Sequence, residues 1–150
     1  EILATVRAAA LDRFAAALEA GLAQGSDARE RARAIGDAYV RFATEHPAAY
    51  QLMSEISQVD ESRYPELVRA SRRARETMVG YVRDMIREGM MDGDADLIGY
   101  MFWSTLHGIV VLDMAGRLGG EIDADTLRKK TMRSLLAGIA VSPPRRDDES

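Results

Sequence analysis

The chain has 150 residues, 47% apolar and 29% charged, with a formal net charge of −4 and no cysteine. Those values fit one globular domain burying roughly 70% of the surface its unfolded chain exposes, and they exclude disulfides, thiolate nucleophiles and cysteine-ligated zinc. No basic stripe is dense enough to displace counterions from nucleic-acid phosphates, the strongest apolar run (Ile109 to Leu112) is too short to span a bilayer, and no signal segment opens the chain, so a cytoplasmic setting without membrane contact is expected.

Proline occurs only at Pro47, Pro65, Pro143 and Pro144, and the pattern between those points is helical, with no alternating run long enough for a strand. A first helix is predicted from Glu1 to Leu22, with Leu3, Val6, Ala10, Phe14, Leu18 and Leu22 on one stripe and Asp12, Arg13 and Glu19 opposite. No capping residue precedes Glu1, which suggests a chain cut from something longer. Gly25 ends that helix, and Ser26 or Asp27 caps a second that runs to Glu45 and aligns Ala32, Ile35, Tyr39 and Phe42. His46-Pro47 forces a break, and Pro47 opens a short third helix carrying Tyr50, Leu52, Met53 and Ile56. Ser57 to Tyr64 reads as a loop. Pro65 opens a fourth helix reaching Glu88, with Leu67, Ser71, Ala74, Met78, Tyr81, Val82 and Met85 inward and Arg69, Arg72, Arg73, Arg83 and Arg87 outward among Glu66, Glu76 and Asp84. Gly89 and Gly93 bracket the next turn. Asp94 caps a fifth helix, predicted to end at Leu118 before Gly119-Gly120, and Asp123 caps a sixth from Ala124 to Val141 with Leu127, Met132, Leu135 and Ile139 as its stripe. Residues 1–141 form the expected domain, and 142–150 a frayed tail.

The fifth helix is unlike the others. Leu97, Met101 and Leu112 point one way, Phe102, Leu106 and Ile109 another, and Trp103, Val110 and Met114 a third, and a helix apolar all round is expected to be buried all round. Leaving four or five such side chains in water forgoes on the order of 10 kcal/mol, comparable with the stability of a whole domain. Either five other helices surround it or a second copy covers it. Gly108, Ala115, Gly116 and Gly138 permit close approach, so a two-fold homodimer is favoured, with Ile109, Leu112, Leu127, Leu135 and Ile139 at the interface.

Several residues admit two readings. His107, on the Tyr100, Trp103 and Met114 side of the fifth helix, is either a hydrogen-bonded core histidine or a polar anchor in an apolar pocket. Tyr39, Phe42, Met53, Met78, Tyr81, Met85 and Trp103 are stripe residues that suit a packed core; the eight methionines of the chain equally suit a cavity that adapts to varied apolar ligands, and both hold if the core is hollow. Arg7 lies inside an apolar stripe, where it snorkels to the surface or meets an acidic ligand or Asp113; Asp113 itself reads as a paired or interface carboxylate. The arginines of the fourth helix, spaced among acids, read as a solvated face and not a phosphate site. His46 and Glu45 offer a metal two ligands, but no third has diagnostic spacing, and neither a metal nor another cofactor is expected. No Glu-x-x-His pair of the di-iron type, phosphate-cradling glycine loop or spaced acid pair appears, so no catalytic residue is assigned.

The segment Trp103-Ser104-Thr105-Leu106-His107-Gly108, followed by Ile109 to Gly116-Arg117-Leu118, resembles the Trp-x-x-x-His-Gly signature of one TetR-type regulator subgroup. Tyr39-Val40-Arg41-Phe42-Ala43 and the run from His46 to Met53 are similar to that family's Tyr-x-x-Phe-Ala segment and the short helix after it. The resemblance spans most of Glu1 to Ala140. It implies an all-α, six-helix orthogonal bundle of the TetR regulatory-domain type, whose last two long helices form a dimer four-helix bundle. It also implies an internal pocket for a small, mainly apolar effector, anchored in part by His107, and DNA contact only through a preceding helix-turn-helix head that is absent here. Repression relieved by the effector is the function it implies; the alternative is a structural or adaptor helical domain without a ligand.

Overall fold

A computed structural model describes residues 1–55 and 59–139; Ile56 of the third predicted stripe, the start of the predicted loop at Ser57, the predicted end of the last helix at Val141 and the predicted tail lie outside the described residues. Within them the chain forms α1 (Ile2–Leu22), α2 (Ala28–Glu45), α3 (Pro47–Ser54), α4 (Pro65–Arg87), α5 (Ala95–Met114) and α6 (Ala124–Ile139), with a 3-10 turn at Glu61–Arg63 before α4.

The helix starts follow from local chemistry. The Asp27 carboxylate accepts from the Glu30 amide at 2.8 Å, Asp94 from Leu97 at 2.8 Å and Asp123 from Thr126 at 2.9 Å, each satisfying a first-turn N–H that has no partner within its helix. Ser26 sits one residue outside α2, where its amide and hydroxyl both donate to the Glu30 carboxylate, at 2.9 and 2.6 Å. Pro47 and Pro65 occupy first-turn positions of α3 and α4, where a missing N–H costs nothing. α5 stops four residues short of the predicted Leu118. Gly116 adopts φ +65° and the Arg117 amide donates back to the Leu112 carbonyl at 2.8 Å, a left-handed closure that ends the helix before Gly119-Gly120 is reached.

α1 packs chiefly on α4 and α2, α4 on α5, and α5 on α6. At the centre Phe14 is fully buried, its ring meeting Tyr39 edge-on at 5.3 Å and Phe42 at 5.4 Å. α4 and α5 come close together at Gly99, where an added Cβ would lie 2.9 Å from Val79 Cγ2 and 3.1 Å from Val79 Cα.

Three expectations need correction. The stripe of α1 is rotated in its first turns: Leu3 and Val6 are exposed, while Ala4, Arg7, Ala8 and Leu11 turn inward. Arg7 does not snorkel, and it does not meet Asp113. Only 4% exposed, it donates from Nε to the Leu52 carbonyl at 3.1 Å and from Nη2 to the Glu55 carbonyl at 2.7 Å, so it satisfies carbonyls at the end of α3, where a cation also suits the helix dipole. The arginines of α4 are more than a solvated face. Arg69 grips Asp12 of α1 through two bonds of 3.1 and 2.7 Å, and Arg73 bridges Asp12 at 3.1 Å and Glu19 at 2.9 and 2.7 Å. The Arg69 hydrogen bond, with Arg73 behind it, holds the Asp12 carboxyl below its usual range against the opposing effect of desolvation. These partly exposed pairs fix the facing of α1 on α4 more than they add stability.

α5 is enclosed on one side only within the protomer. Ile98, Gly99, Phe102, Leu106, Ile109 and Val110 are buried, while Leu97, Tyr100, Val111 and Leu112 are 63%, 45%, 43% and 42% exposed. At helical spacing the exposed set lies on one stripe with Gly108, whose missing side chain faces open space. By length and composition the whole helix is apolar enough to cross a membrane, which the short run at Ile109 did not suggest; the core helix of a folded domain has the same character, and this one supplies part of the core.

Candidate functional site

The eight residues expected to surround a ligand divide into two groups. Tyr39, Phe42, Met78, Tyr81 and Met85 are between 0% and 6% exposed and belong to the packed core shared by α1, α2, α4 and α5. Met53, Trp103 and His107 are half-buried at its margin. Tyr81 and Phe102 stack at 6.5 Å, and Tyr100 and Trp103 at 5.7 Å. A recess of about 40 Å³ between α2, α5 and α6 touches Val40, Val110, Asp113 and Arg128, and is of water size rather than ligand size.

A larger space lies beside His107. An open cleft of about 680 Å³ separates α3 from the C-terminal half of α5, with Ala48, Gln51, Leu52, Ser54 and Glu55 on one wall, Val111, Met114 and Ala115 on the other, and His107 and Tyr50 between them. That volume falls in the range of small-molecule sites. Its polar centre is a hydrogen-bonded chain: the Tyr39 and Tyr50 hydroxyls are 2.7 Å apart, and the Tyr50 hydroxyl is 2.7 Å from His107 Nδ1. The Tyr50 and His107 rings also lie together, at 5.9 Å. Burial raises the pKa of both phenols, most strongly at Tyr39, and lowers that of the imidazole, so all three groups are neutral near pH 7. Tyr50, the one buried residue of α3, is the candidate residue of the cleft that sequence reasoning missed; it stood only as an apolar stripe position. The available signal was its hydroxyl, because a buried phenol needs a partner.

The remaining candidates are placed as follows. His46 caps the end of α2, with its ring 5.2 Å from Phe42 and its Nδ1 3.3 Å from Arg13 Nη2. Among the described residues no group of three or more His, Asp or Glu could hold a metal. Asp113 is exposed. Of the expected interface residues, Ile109 is 8% exposed and turned into the protomer, Leu112 faces solvent, and Leu127, Leu135 and Ile139 are half-buried, the last two packing on the core. Arg128 joins α6 to α2 through Asp37 at 2.9 Å.

The described residues form a six-helix all-α domain with a short third helix and a polar chain under an open cleft. The profile of the family described as "Tetracyclin repressor-like, C-terminal domain" matches residues 32–135, and the chain belongs to that family. Among curated proteins none matches. Solved structures with the same fold include a protein with unknown function from Rhodococcus sp. RHA1 (27% identity, TM-score 0.79, covering 93% of this chain and 72% of that one). A putative regulatory protein, SCO4313, is 22% identical with TM-score 0.67, covering 90% and 72%. The TetR family transcriptional regulator PfmR from Thermus thermophilus is 20% identical with TM-score 0.71, covering 95% and 76%.

Proposed function

We propose that this chain is the effector-sensing and dimerisation domain of a cytoplasmic transcriptional regulator, a repressor that a small, mainly apolar molecule releases from DNA. The observation that carries the reading is the open cleft at His107, a space of ligand size with mixed polar and apolar walls and one buried polar chain at its centre. The effector sits between α3 and α5, with His107 as its anchor. The core residues Tyr39, Phe42, Met78, Tyr81 and Met85, with Trp103 at their margin, support that anchor, and Met53 on α3 accompanies it. DNA is touched only by a helix-turn-helix head joined ahead of α1. Such a ligand changes the output only if it binds two geometries with different affinity, and α3 forms one wall of the cleft it would occupy. Nile red, a neutral apolar dye, tests this. Its fluorescence is expected to rise on binding, and Ala48→Trp, which fills the cleft from an exposed position on α3, is expected to remove that rise while leaving the melting temperature unchanged. Dye binding that ignores Ala48→Trp counts against the cleft.

The dimer in this reading is formed by α5 and α6 against their copies, centred on Gly108 and Leu112, with Leu97, Tyr100, Val111 and Leu136 around them and Leu127, Leu135 and Ile139 backing the α6 side. Ile109 supports that face from within the protomer, because its side chain is already buried there. A two-fold axis places each stripe residue opposite the same stripe, so Leu112→Arg puts two uncompensated charges into one apolar seam. Sedimentation is expected to show a dimer for the parent and a monomer for the variant, with dissociation at least tenfold more favourable (about 1.4 kcal/mol or more). A parent that stays monomeric at about 100 μM, far above the usual range of a stable dimer, would remove the dimer.

The packed state of the inner residues favours one alternative, an adaptor domain without a ligand, since Tyr39, Met78 and Met85 leave no hollow among themselves. Ala48→Trp separates the two readings.

A further inference from the structure

The chain of hydroxyls beneath the cleft has a direction that proton accounting fixes. Tyr39 is fully buried, and the Tyr50 oxygen is the acceptor within hydrogen-bonding distance of its hydroxyl among the described residues. A buried donor left without an acceptor is costly, so Tyr39 donates to Tyr50. The Ser54 hydroxyl also acts on the Tyr50 phenol, in the sense of a donor to its oxygen, so the hydrogen of Tyr50, itself only 1% exposed, has His107 Nδ1 as its acceptor, 2.7 Å away. That length suits an O–H donor better than an N–H donor, whose bonds to oxygen cluster near 2.9–3.0 Å. The reverse order would strand the Tyr39 hydrogen. The Trp103 indole also acts on the Tyr39 phenol as a hydrogen-bond partner, and an indole N–H can only donate, which agrees with the same direction.

His107 Nδ1 is thus an acceptor, and a neutral imidazole with that nitrogen unprotonated carries its hydrogen on Nε2. Nε2 has no partner among the described residues, and the ring lines the cleft. Among the described residues Glu55 is the one charged residue on the cleft walls, and no lysine or arginine lines it. We propose that the cleft offers its ligand a fixed hydrogen-bond donor, His107 Nε2–H, and therefore selects an uncharged apolar molecule bearing an acceptor oxygen, such as a ketone or ester carbonyl, over a carboxylate or a plain hydrocarbon. Tyr50 and Tyr39 act as positioning residues: they touch no ligand atom in this account but keep the donor on the cleft side. The inference rests on the effector-binding reading above and names the class of molecule it would accept.

The test has two readouts on the intact chain. The first needs no ligand. With only His46 and His107 to assign, imidazole 15N spectra at pH 7.5 are expected to show His107 with Nε2 protonated and Nδ1 shifted by an accepted hydrogen bond, a shift lost in Tyr50→Phe. The second is displacement of Nile red by three isosteric probes: 2-acetonaphthone, 2-ethylnaphthalene and 2-naphthoate. The ketone is expected to bind about tenfold more tightly than the other two, the worth of one well-made hydrogen bond, and His107→Phe is expected to level ketone and hydrocarbon. A proton on Nδ1 overturns the donor assignment and leaves effector sensing standing. Equal affinity for all three, or preference for the naphthoate, overturns the ligand class. Failure of every probe, with no displacement of the dye, overturns the inference together with the sensing role.

Discussion

Replacing Phe14 with alanine is expected to destabilise the domain by about 3–5 kcal/mol, a large share of the roughly 5–15 kcal/mol that holds such a domain folded. Phe14 is wholly removed from solvent, and its ring is the wedge between α1 and α2, with Tyr39 and Phe42 set edge-on against it at 5.3 and 5.4 Å. Deleting the ring forfeits its burial and both aromatic contacts, and the neighbours cannot collapse into the gap. Tyr39 is tied by its hydroxyl to Tyr50, and Phe42 is pinned against His46. The urea midpoint should fall accordingly at an unchanged slope. A loss below about 1 kcal/mol, the scale of a single methylene, would show that this seam is not the centre of the core.

The second large effect is expected at Arg7. Arg7→Met keeps the apolar stem and removes the guanidinium, leaving the Leu52 and Glu55 carbonyls without their donor. Each orphaned carbonyl costs about 1–3 kcal/mol, partly offset because a buried guanidinium no longer has to be desolvated; a net loss of about 2–4 kcal/mol follows. The loss should be uneven. Amide exchange is expected to accelerate in α3 well beyond α4, because both carbonyls that Arg7 satisfies lie at the end of α3 and none lies in α4. Arg7→Lys should not restore protection, since a single ammonium cannot reproduce the two-pronged donation. Equal acceleration in α3 and α4 would mean that Arg7 supports the fold generally and does not strap one helix.

Much of the helical layout was legible from the residues. Asp94 and Asp123 announce helix starts through side chains that accept from the third residue on, and Pro47 and Pro65 mark first turns, because these are local effects that need no tertiary partner. The end of α5 was not legible in the same way. Three glycines follow it closely, and only the backbone shows that Gly116 takes the left-handed turn. Arg7 was misjudged for a deeper reason. A cation within an apolar stripe is ordinarily a surface residue with a buried stem, and its partners are main-chain carbonyls 45 and 48 positions away, which no side-chain pattern records. The candidate site was half visible. His107 stood out as a polar group on a buried helix, but the residue that orients it, Tyr50, lies 57 positions earlier on a helix of eight residues. The cleft also lies outside the methionine-rich interior where the stripes pointed, because those side chains pack into the core.

The contact at Gly99 bears on how a signal would travel. With no room for even a methyl group between it and Val79, α4 and α5 meet there without slack. Under the proposed sensing role, a molecule wedged beside α5 would therefore find its easier give on the opposite bank, in α3. Arg7, bonded to the Leu52 and Glu55 carbonyls, would then be the drive rod that passes such a displacement to α1.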